Sequence, residues 1–268
     1  MVTKLWTTYA SRANLGLTKS LAALGLDYVD LFLVHFPLAM NPDGNDDKFP
    51  TLPSGARDTV WGHDHVATWK DMEALPGTGK TRAIGVCNYS VPYMKNLLAQ
   101  ATIVPAVNQI ENHPRLPQQD VVDFCQSKGI HVMAYSPLGS AGGPLLQDKV
   151  VLDLAKEKDV DASSILLSYA GKLNNGSLST PFAELPSMRM TNNTTFFLVA
   201  RGNTVLAKSV KPERITSNLK IVDLSNEDLQ LIANGLNDGS LERYVYPPFG
   251  VNLGFPDKTD GKRMINGA

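Results

Sequence analysis

One histidine in this chain closes a run of apolar residues. The stretch "DLFLVHFP" runs from Asp30 to Pro37, and its apolar run ends on His35. A buried-looking strand that closes on an imidazole raises the prospect of acid–base work, which would need a partner group. Taken alone, a histidine closing a strand also reads as structural. A second stretch, "ALPGTGKT" from Ala74 to Thr81, fits a relaxed phosphate-loop pattern with alanine in the first glycine's place. Such a loop must follow a strand and open a helix, so that backbone N–H groups at the helix N-terminus hold phosphate. Here the order is reversed, since the helical pattern "TWKDMEAL" precedes it and the strand pattern "TRAIGV" comes after it. The alternative is a helix-to-strand turn with glycines at positive φ.

The elements that must position these residues repeat along the chain. Short apolar runs finish on polar residues: "YVDLFLV" before His35, "RAIGV" before Cys87 and Asn88, "VPAV" before Asn108 and Gln109, "IHVMA" before Tyr135 and Ser136, "NTVLA" before Lys208 and Ser209. Runs of this length suit strands covered on both faces, as in a parallel sheet. Between them, "NLGLTKSLAALGL", "HVATWKDMEAL", "VPYMKNLLAQA" and "QQDVVDFCQSKG" carry helical spacing, the last ending on a C-cap-like Gly129. Strand–helix alternation predicts an α/β fold. Polar residues at every strand end favour a (β/α)8 barrel, whose active site is built there. A Rossmann sheet is disfavoured because no GxGxxG lies between a strand and a helix.

Composition narrows the class. The chain has 268 residues, 43% hydrophobic and 19% charged, enough for a sizeable core, and reads as a single domain. Its net charge is −1 with no long run of one sign, which gives no electrostatic case for a nucleic-acid or membrane partner. Cys87 and Cys125 lack CxxC spacing and read as reduced thiols in the cytoplasm. The N-terminus lacks the apolar core of a signal peptide, no stretch approaches the roughly 18 apolar residues of a membrane span, and no metal site is expected.

Several motifs together carry a family resemblance. "KLWTT", "LGLDYVDLFLVHFP", "TGKTRAIGVCNYS", "PAVNQIENHP", "GIHVMAYSPLGS" and "VLAKSVKPERITSN" resemble successive segments of the aldo-keto reductases, in the family's order and over most of the chain. The resemblance implies a (β/α)8 barrel that binds NADPH extended and reduces a small-molecule carbonyl, an aldehyde or ketone such as an open-chain sugar, by hydride transfer with proton donation from a tyrosine. It makes Lys4 the catalytic lysine and His35 the residue that orients the carbonyl. Trp6 and Phe36 then line the substrate pocket. Cys87, Asn88 and Gln109 match the positions around the nicotinamide carboxamide, and Tyr135 the aromatic that stacks on the ring. Ser136, Leu138 and Ser140 match the loop over the pyrophosphate. Lys208, Ser209 and Arg214 match the grip on the 2′-phosphate, and Asn218 an adenine contact. Two cations and a hydroxyl around a dianion favour NADPH. Without the family, "KSVKPER" reads as a strand end and a capped helix start with a solvated face, and Lys4 as a surface lysine. His113, in "ENHP", reads as a structural loop residue.

The chain departs from the family pattern in places. Cys87 stands where serine is usual, and a thiol is the poorer hydrogen-bond partner. Phe36 replaces a common tryptophan, which implies a wider pocket without an indole N–H. Ser217 stands where an acidic adenine contact is usual. Family members reach "KLW" only after two strand–helix units and most of a third strand, so the resemblance implies an incomplete barrel that lacks the proton-donating tyrosine and its supporting aspartate. Tyr9 does not replace that tyrosine by motif. Finally, Gly171 to Ala200, "GKLNNGSLSTPFAELPSMRMTNNTTFFLVA", has few charges and no clear period. It reads as a non-family insert, as translated intron rather than the alternative of a functional lid, since "GKL", "MTN" and "TTFFLV" can be encoded by donor, branch-point and acceptor sequences. The reading is an NADPH-dependent carbonyl reductase of reduced activity. The alternative is a non-catalytic NADPH-binding or regulatory scaffold, with a phosphate-loop nucleotidase as a third.

Overall fold

The computed structural model describes residues 1–169, 196–198, 203–236, 241–258 and 263–265. These group into two compact units, one formed by 1–109, 123–130 and 247–268, the other by 110–122 and 131–246.

In the first unit, strands and helices alternate: β1 (Val2–Leu5), α1 (Ala13–Leu24), β2 (Val29–Val34), α2 (His65–Glu73), β3 (Thr81–Cys87), α3 (Val91–Leu98), β4 (Val107–Glu111, which runs on into the second unit) and α4 (Gln119–Ser127, also shared). The strands pair in the order β1-β2-β3-β4, all parallel. Leu31, Phe32, Leu33 and Val34 on β2 are each 2% exposed or less. That is the both-faces burial expected of a parallel strand. Each such side chain contributes roughly 1.5–3 kcal/mol of burial. Ala13, Leu17 and Leu21 form the buried stripe of α1 at helical spacing. A Cβ at Gly85 on β3 would meet the Val107 carbonyl oxygen at 2.7 Å, so only glycine admits the entry of β4 so close.

The second unit holds β5 (His131–Tyr135), α5 (Lys149–Glu157), α6 (Ala162–Tyr169), β6 (Phe196–Leu198), β7 (Thr204–Leu206), α7 (Pro212–Ser217) and α8 (Asn226–Leu236). Its strand order is β5-β7-β6, with β5 and β7 parallel and β6 antiparallel to β7. Val151, Leu154, Ile165, Leu166, Ile232 and Leu236 bring α5, α6 and α8 onto one apolar cluster.

The expected strand–helix alternation and parallel pairing are present. One boundary differs. Asn108 and Gln109 lie inside β4 rather than beyond its end, because the strand starts at Val107. Pro105 has no N–H to give a ladder, and the first bond to β3 runs from the Ala106 N–H to the Ile84 carbonyl, at 2.9 Å. Gly129 takes φ 70° and its N–H bonds the Gln126 carbonyl, ending α4 as expected. The stretch "ALPGTGKT" is a helix-to-strand turn: α2 ends at Glu73, a 3-10 turn spans Pro76–Thr78, and β3 starts at Thr81. Of its two glycines only Gly79 has positive φ, at 73°. Of the expected insert 171–200, Phe196–Leu198 is described, as strand β6; the rest lies outside the described residues.

Candidate active site

The register aligns the carboxyl ends of the first unit's strands. Leu5 pairs with Val34, Val34 with Val86, and Cys87 with Gln109. The residue after each strand is therefore delivered to one edge: Trp6 after β1, His35 after β2 and Asn88 after β3. Lys4, His35, Cys87, Asn88 and Gln109 come to this edge together, as does the aromatic pair Trp6 and Phe36.

His35 is half-buried, and its ring stacks on Phe36 with centroids 4.8 Å apart and planes at 11°. Trp6 meets it edge-on at 5.0 Å. Burial among these rings pushes the imidazole pKa down to about 3, and the positive charge of Lys4 adds to the shift. His35 is neutral at physiological pH, a donor or acceptor but no cation. Among the described residues, the Lys4 ammonium makes no hydrogen bond or ion pair, while its backbone pairs with β2 opposite Leu33. Asn88 sits at φ 59°, a left-handed conformation that asparagine tolerates better than most residues. Its Nδ2 donates to the His35 carbonyl oxygen at 2.9 Å, and its N–H donates to the Gln109 carbonyl at 2.9 Å. Cys87 is fully buried, and burial pushes its thiol up to about 12, against an opposing pull from Lys4. It is thus a neutral thiol.

Two further aromatics complete the wall. Phe49 lies 5.2 Å from Trp6, and Phe249 lies 4.9 Å from Phe36. Sequence reasoning missed both, because they arrive from an irregular loop and from the C-terminal segment, where neither period nor motif marks them. The loop is tied down: the Trp6 Nε1 donates to the Lys48 carbonyl at 2.5 Å and the Thr8 hydroxyl to the Asp47 carbonyl at 2.7 Å. The Tyr9 hydroxyl donates to Asp47 Oδ1 at 2.5 Å and accepts from Lys19 Nζ. That hydroxyl is thus engaged by the loop carboxylate and the α1 lysine.

The second unit carries the remaining residues, at the end of β5, in the segments that follow β5 and β7, and on α7. Tyr135 pairs with Leu206, so the segments after β5 and β7 leave the sheet side by side. Tyr135 is half-buried. Ser136, Gly139, Ser140, Gly142 and Gly143 all have positive φ, a chain path that turns back on itself repeatedly. Leu138 anchors this loop in the apolar core. Lys208 and Arg214 are exposed, and neither forms an ion pair among the described residues. The Ser209 hydroxyl accepts from the Lys211 N–H at 3.1 Å at the start of α7. Asn218 is buried at the other end of α7, its N–H on the Arg214 carbonyl at 2.9 Å. Ser217 donates to that same carbonyl at 3.3 Å.

His113 is structural, as expected. It is fully buried, and its Nε2 lies 3.1 Å from Glu111 Oε1. Glu111, also fully buried, accepts from the Tyr244 N–H at 2.7 Å and the Val245 N–H at 3.0 Å. This carboxylate clamps residues 244 and 245 to the end of β4. The sequence signal was the "ENH" triplet, and only the fold shows its partner.

Comparison with known proteins bears on this edge of strand-end residues. The model of the Aldo/keto reductase family matches residues 2–235. The D-galacturonate reductase of Hypocrea jecorina is 54% identical over 97% of this chain and 76% of the relative. The glycerol 2-dehydrogenase (NADP(+)) of Saccharomyces cerevisiae is 40% identical over 94% of this chain and 75% of the relative. Among solved structures, the aldose reductase from Giardia lamblia superposes with a TM-score of 0.79 at 30% identity, over 95% of this chain and 78% of that one. An aldo-keto reductase of Bombyx mori in complex with NADP gives a TM-score of 0.68 at 29% identity, over 92% of this chain and 72% of that one. The chain belongs to the Aldo/keto reductase family, a family of oxidoreductases whose cofactor is NADPH.

Proposed function

We propose that this chain is built to bind NADPH and to reduce the carbonyl of a small aldehyde or ketone, with His35 as the residue that holds the carbonyl oxygen. The observation that carries the reading is a neutral imidazole at the mouth of β2, walled by Trp6 and Phe36 and within the field of Lys4. A neutral imidazole can donate a hydrogen bond to an oxygen on which negative charge develops, and the aromatic wall excludes water around it. The Lys4 charge stabilises the same developing anion. NADPH supplies the hydride. Asn88 and Gln109 suit its carboxamide, Cys87 flanks that contact as a neutral thiol, and Tyr135 offers a ring face. Ser136, Leu138 and Ser140 suit the pyrophosphate. Lys208, Ser209 and Arg214, two cations without counter-ions among the described residues and a hydroxyl, suit the 2′-phosphate, with Asn218 at the adenine.

The name of the Hypocrea jecorina relative makes uronic acids the first substrates to test. The barrel reading extends the parallel β/α units to the family's closed form, of which the described residues supply four parallel strands in the first unit and two in the second. The free, buried thiols of Cys87 and Cys125 fit a reducing compartment, and we place the chain in the cytoplasm. The segment 171–200 is read as an insert foreign to the family pattern.

One observation favours reduced turnover. The Lys4 ammonium has no hydrogen-bond partner among the described residues and the Tyr9 hydroxyl is held by Asp47 and Lys19, so no tyrosine–lysine proton-donating pair is assembled among the described residues. Loss of a general acid costs typically 10²–10⁴-fold. The expected result is NADPH binding with aldehyde reduction at least ~10²-fold below that of the Hypocrea jecorina relative. Steady-state NADPH oxidation with a reactive aromatic aldehyde, on monodisperse protein, tests it. Turnover of ~1–10³ s⁻¹ would show that another group supplies the proton. Binding without any turnover would instead establish the scaffold alternative.

A further inference from the structure

A guanidinium lies two aromatic rings away from His35. Arg57 is half-buried on the hairpin between β2 and α2, where Thr51 bridges to Arg57. The Leu52 N–H bonds the Ala56 carbonyl and the Asp58 N–H bonds the Pro50 carbonyl, both at 2.9 Å, so the backbone on either side of Arg57 is fixed. Its guanidinium lies over the Phe49 ring, 4.9 Å from the centroid, and one N–H donates to the Phe49 carbonyl at 3.0 Å. Phe49 in turn touches Trp6, and Trp6 touches His35, at 5.2 and 5.0 Å.

A guanidinium has five N–H donors in a planar fork. The protein uses one here, and among the described residues Arg57 forms no ion pair. The neighbouring carboxylates are committed elsewhere. Asp46 Oδ1 accepts from the Lys48 and Phe49 N–H groups at 2.8 and 2.6 Å, and these bonds, with a smaller contribution from Arg57, hold Asp46 below the usual carboxylate range. Asp58 Oδ2 accepts from Asn41 Nδ2 at 2.9 Å. The side chain is thus immobilised by stacking and by one bond, while its remaining donors stay available. Such an arrangement has paid its ordering entropy before any ligand arrives.

We propose that Arg57 selects substrates that carry a carboxylate at the end opposite the carbonyl. The carbonyl is held at His35 and the carboxylate is gripped by the Arg57 fork, with the chain between them lying along Trp6 and Phe49. The chemical class is an open-chain uronic acid or a similar aldehyde acid. This rests on the carbonyl-reductase reading above.

The test is calorimetric binding to the full chain saturated with NADP⁺, so that it stands apart from turnover. Two ligands are compared: the aldonate formed when D-galacturonate is reduced at its aldehyde, and galactitol, its uncharged counterpart. The aldonate should bind about 10- to 100-fold more tightly, the span expected for hydrogen bonds to a charged group. Arg57→Met should remove that difference and leave NADP⁺ and galactitol affinity unchanged. Arg57→Lys, which keeps the charge without the fork, should recover part of it. Thermal denaturation of each variant checks that the fold is intact. Equal affinity of the unmutated chain for the two ligands would overturn the proposal, as would an equal loss for both in Arg57→Met, or no binding of either to the cofactor-loaded chain. If NADP⁺ itself fails to bind, the reductase reading falls and this inference falls with it.

Discussion

The side-chain amide of Asn88 donates to the backbone carbonyl of His35 at 2.9 Å. It ties the end of β3 to the end of β2 and sets the direction in which the peptide carrying His35 leaves its strand. Asn88 is buried and holds a left-handed backbone, so both its side chain and its conformational tolerance are used.

Asn88→Ala should lower stability by about 1–3 kcal/mol, the cost of leaving a buried group unpaired together with strain at positive φ. It should also weaken NADPH binding. Asn88→Gly, which relieves the strain but not the lost bond, should recover part of the stability and none of the affinity. Urea denaturation and NADPH titration of both variants measure this. Full stability in Asn88→Ala would show that the tie is dispensable.

The depressed pKa of His35 has a definite sign in stability. The unfolded chain protonates this histidine near pH 6.5, while the folded chain holds it neutral down to about pH 3. Between those values the unfolded state binds more protons, so stability falls as the pH is lowered through 6.5 and goes on falling towards 3. From pH 7 to pH 5 a single such group costs about 2 kcal/mol. His63 and His131 are shifted down by burial as well and act in the same direction. His35→Gln should flatten the profile by the His35 share alone. Denaturant unfolding of both proteins at pH 7 and pH 5 gives the comparison, and parallel profiles would place the titration elsewhere.

Arg214 is exposed and without an ion pair among the described residues. If it grips the 2′-phosphate, NADPH should bind more tightly than NADH. Arg214→Ala should remove most of that preference, since a charge-assisted bond contributes roughly 1.5–3 kcal/mol. Fluorescence titration with both cofactors measures the ratio. Equal affinities in the unmutated chain would rule the site out.

Glu111 accepts from the Tyr244 and Val245 N–H groups and pairs with His113 in full burial. Glu111→Leu should destabilise by about 3–5 kcal/mol, because it strands the buried His113 ring and two half-buried backbone N–H groups. Amide hydrogen exchange should rise first at Tyr244 and Val245. Uniform exchange across the unit would argue that the clamp has no local role.

Periodicity and motif order in the sequence determined the β/α alternation, the helix end at Gly129 and the strand-end placement of His35, Asn88, Tyr135 and Lys208. These are local properties: a run of buried apolar residues must be a covered strand, and the next residue along must emerge at the strand's end. The same local logic misplaced Asn108 and Gln109, because a proline before a strand shifts the start of the ladder and no spacing rule shows by how much. Tertiary structure decided what local patterns cannot encode. Phe49, Arg57 and Phe249 reach the wall around His35 from segments without period, and Glu111 finds Tyr244 across more than a hundred residues. The neutrality of His35 also belongs to this level. A sequence names an imidazole, but only the rings and the lysine packed around it fix the free energy of its proton.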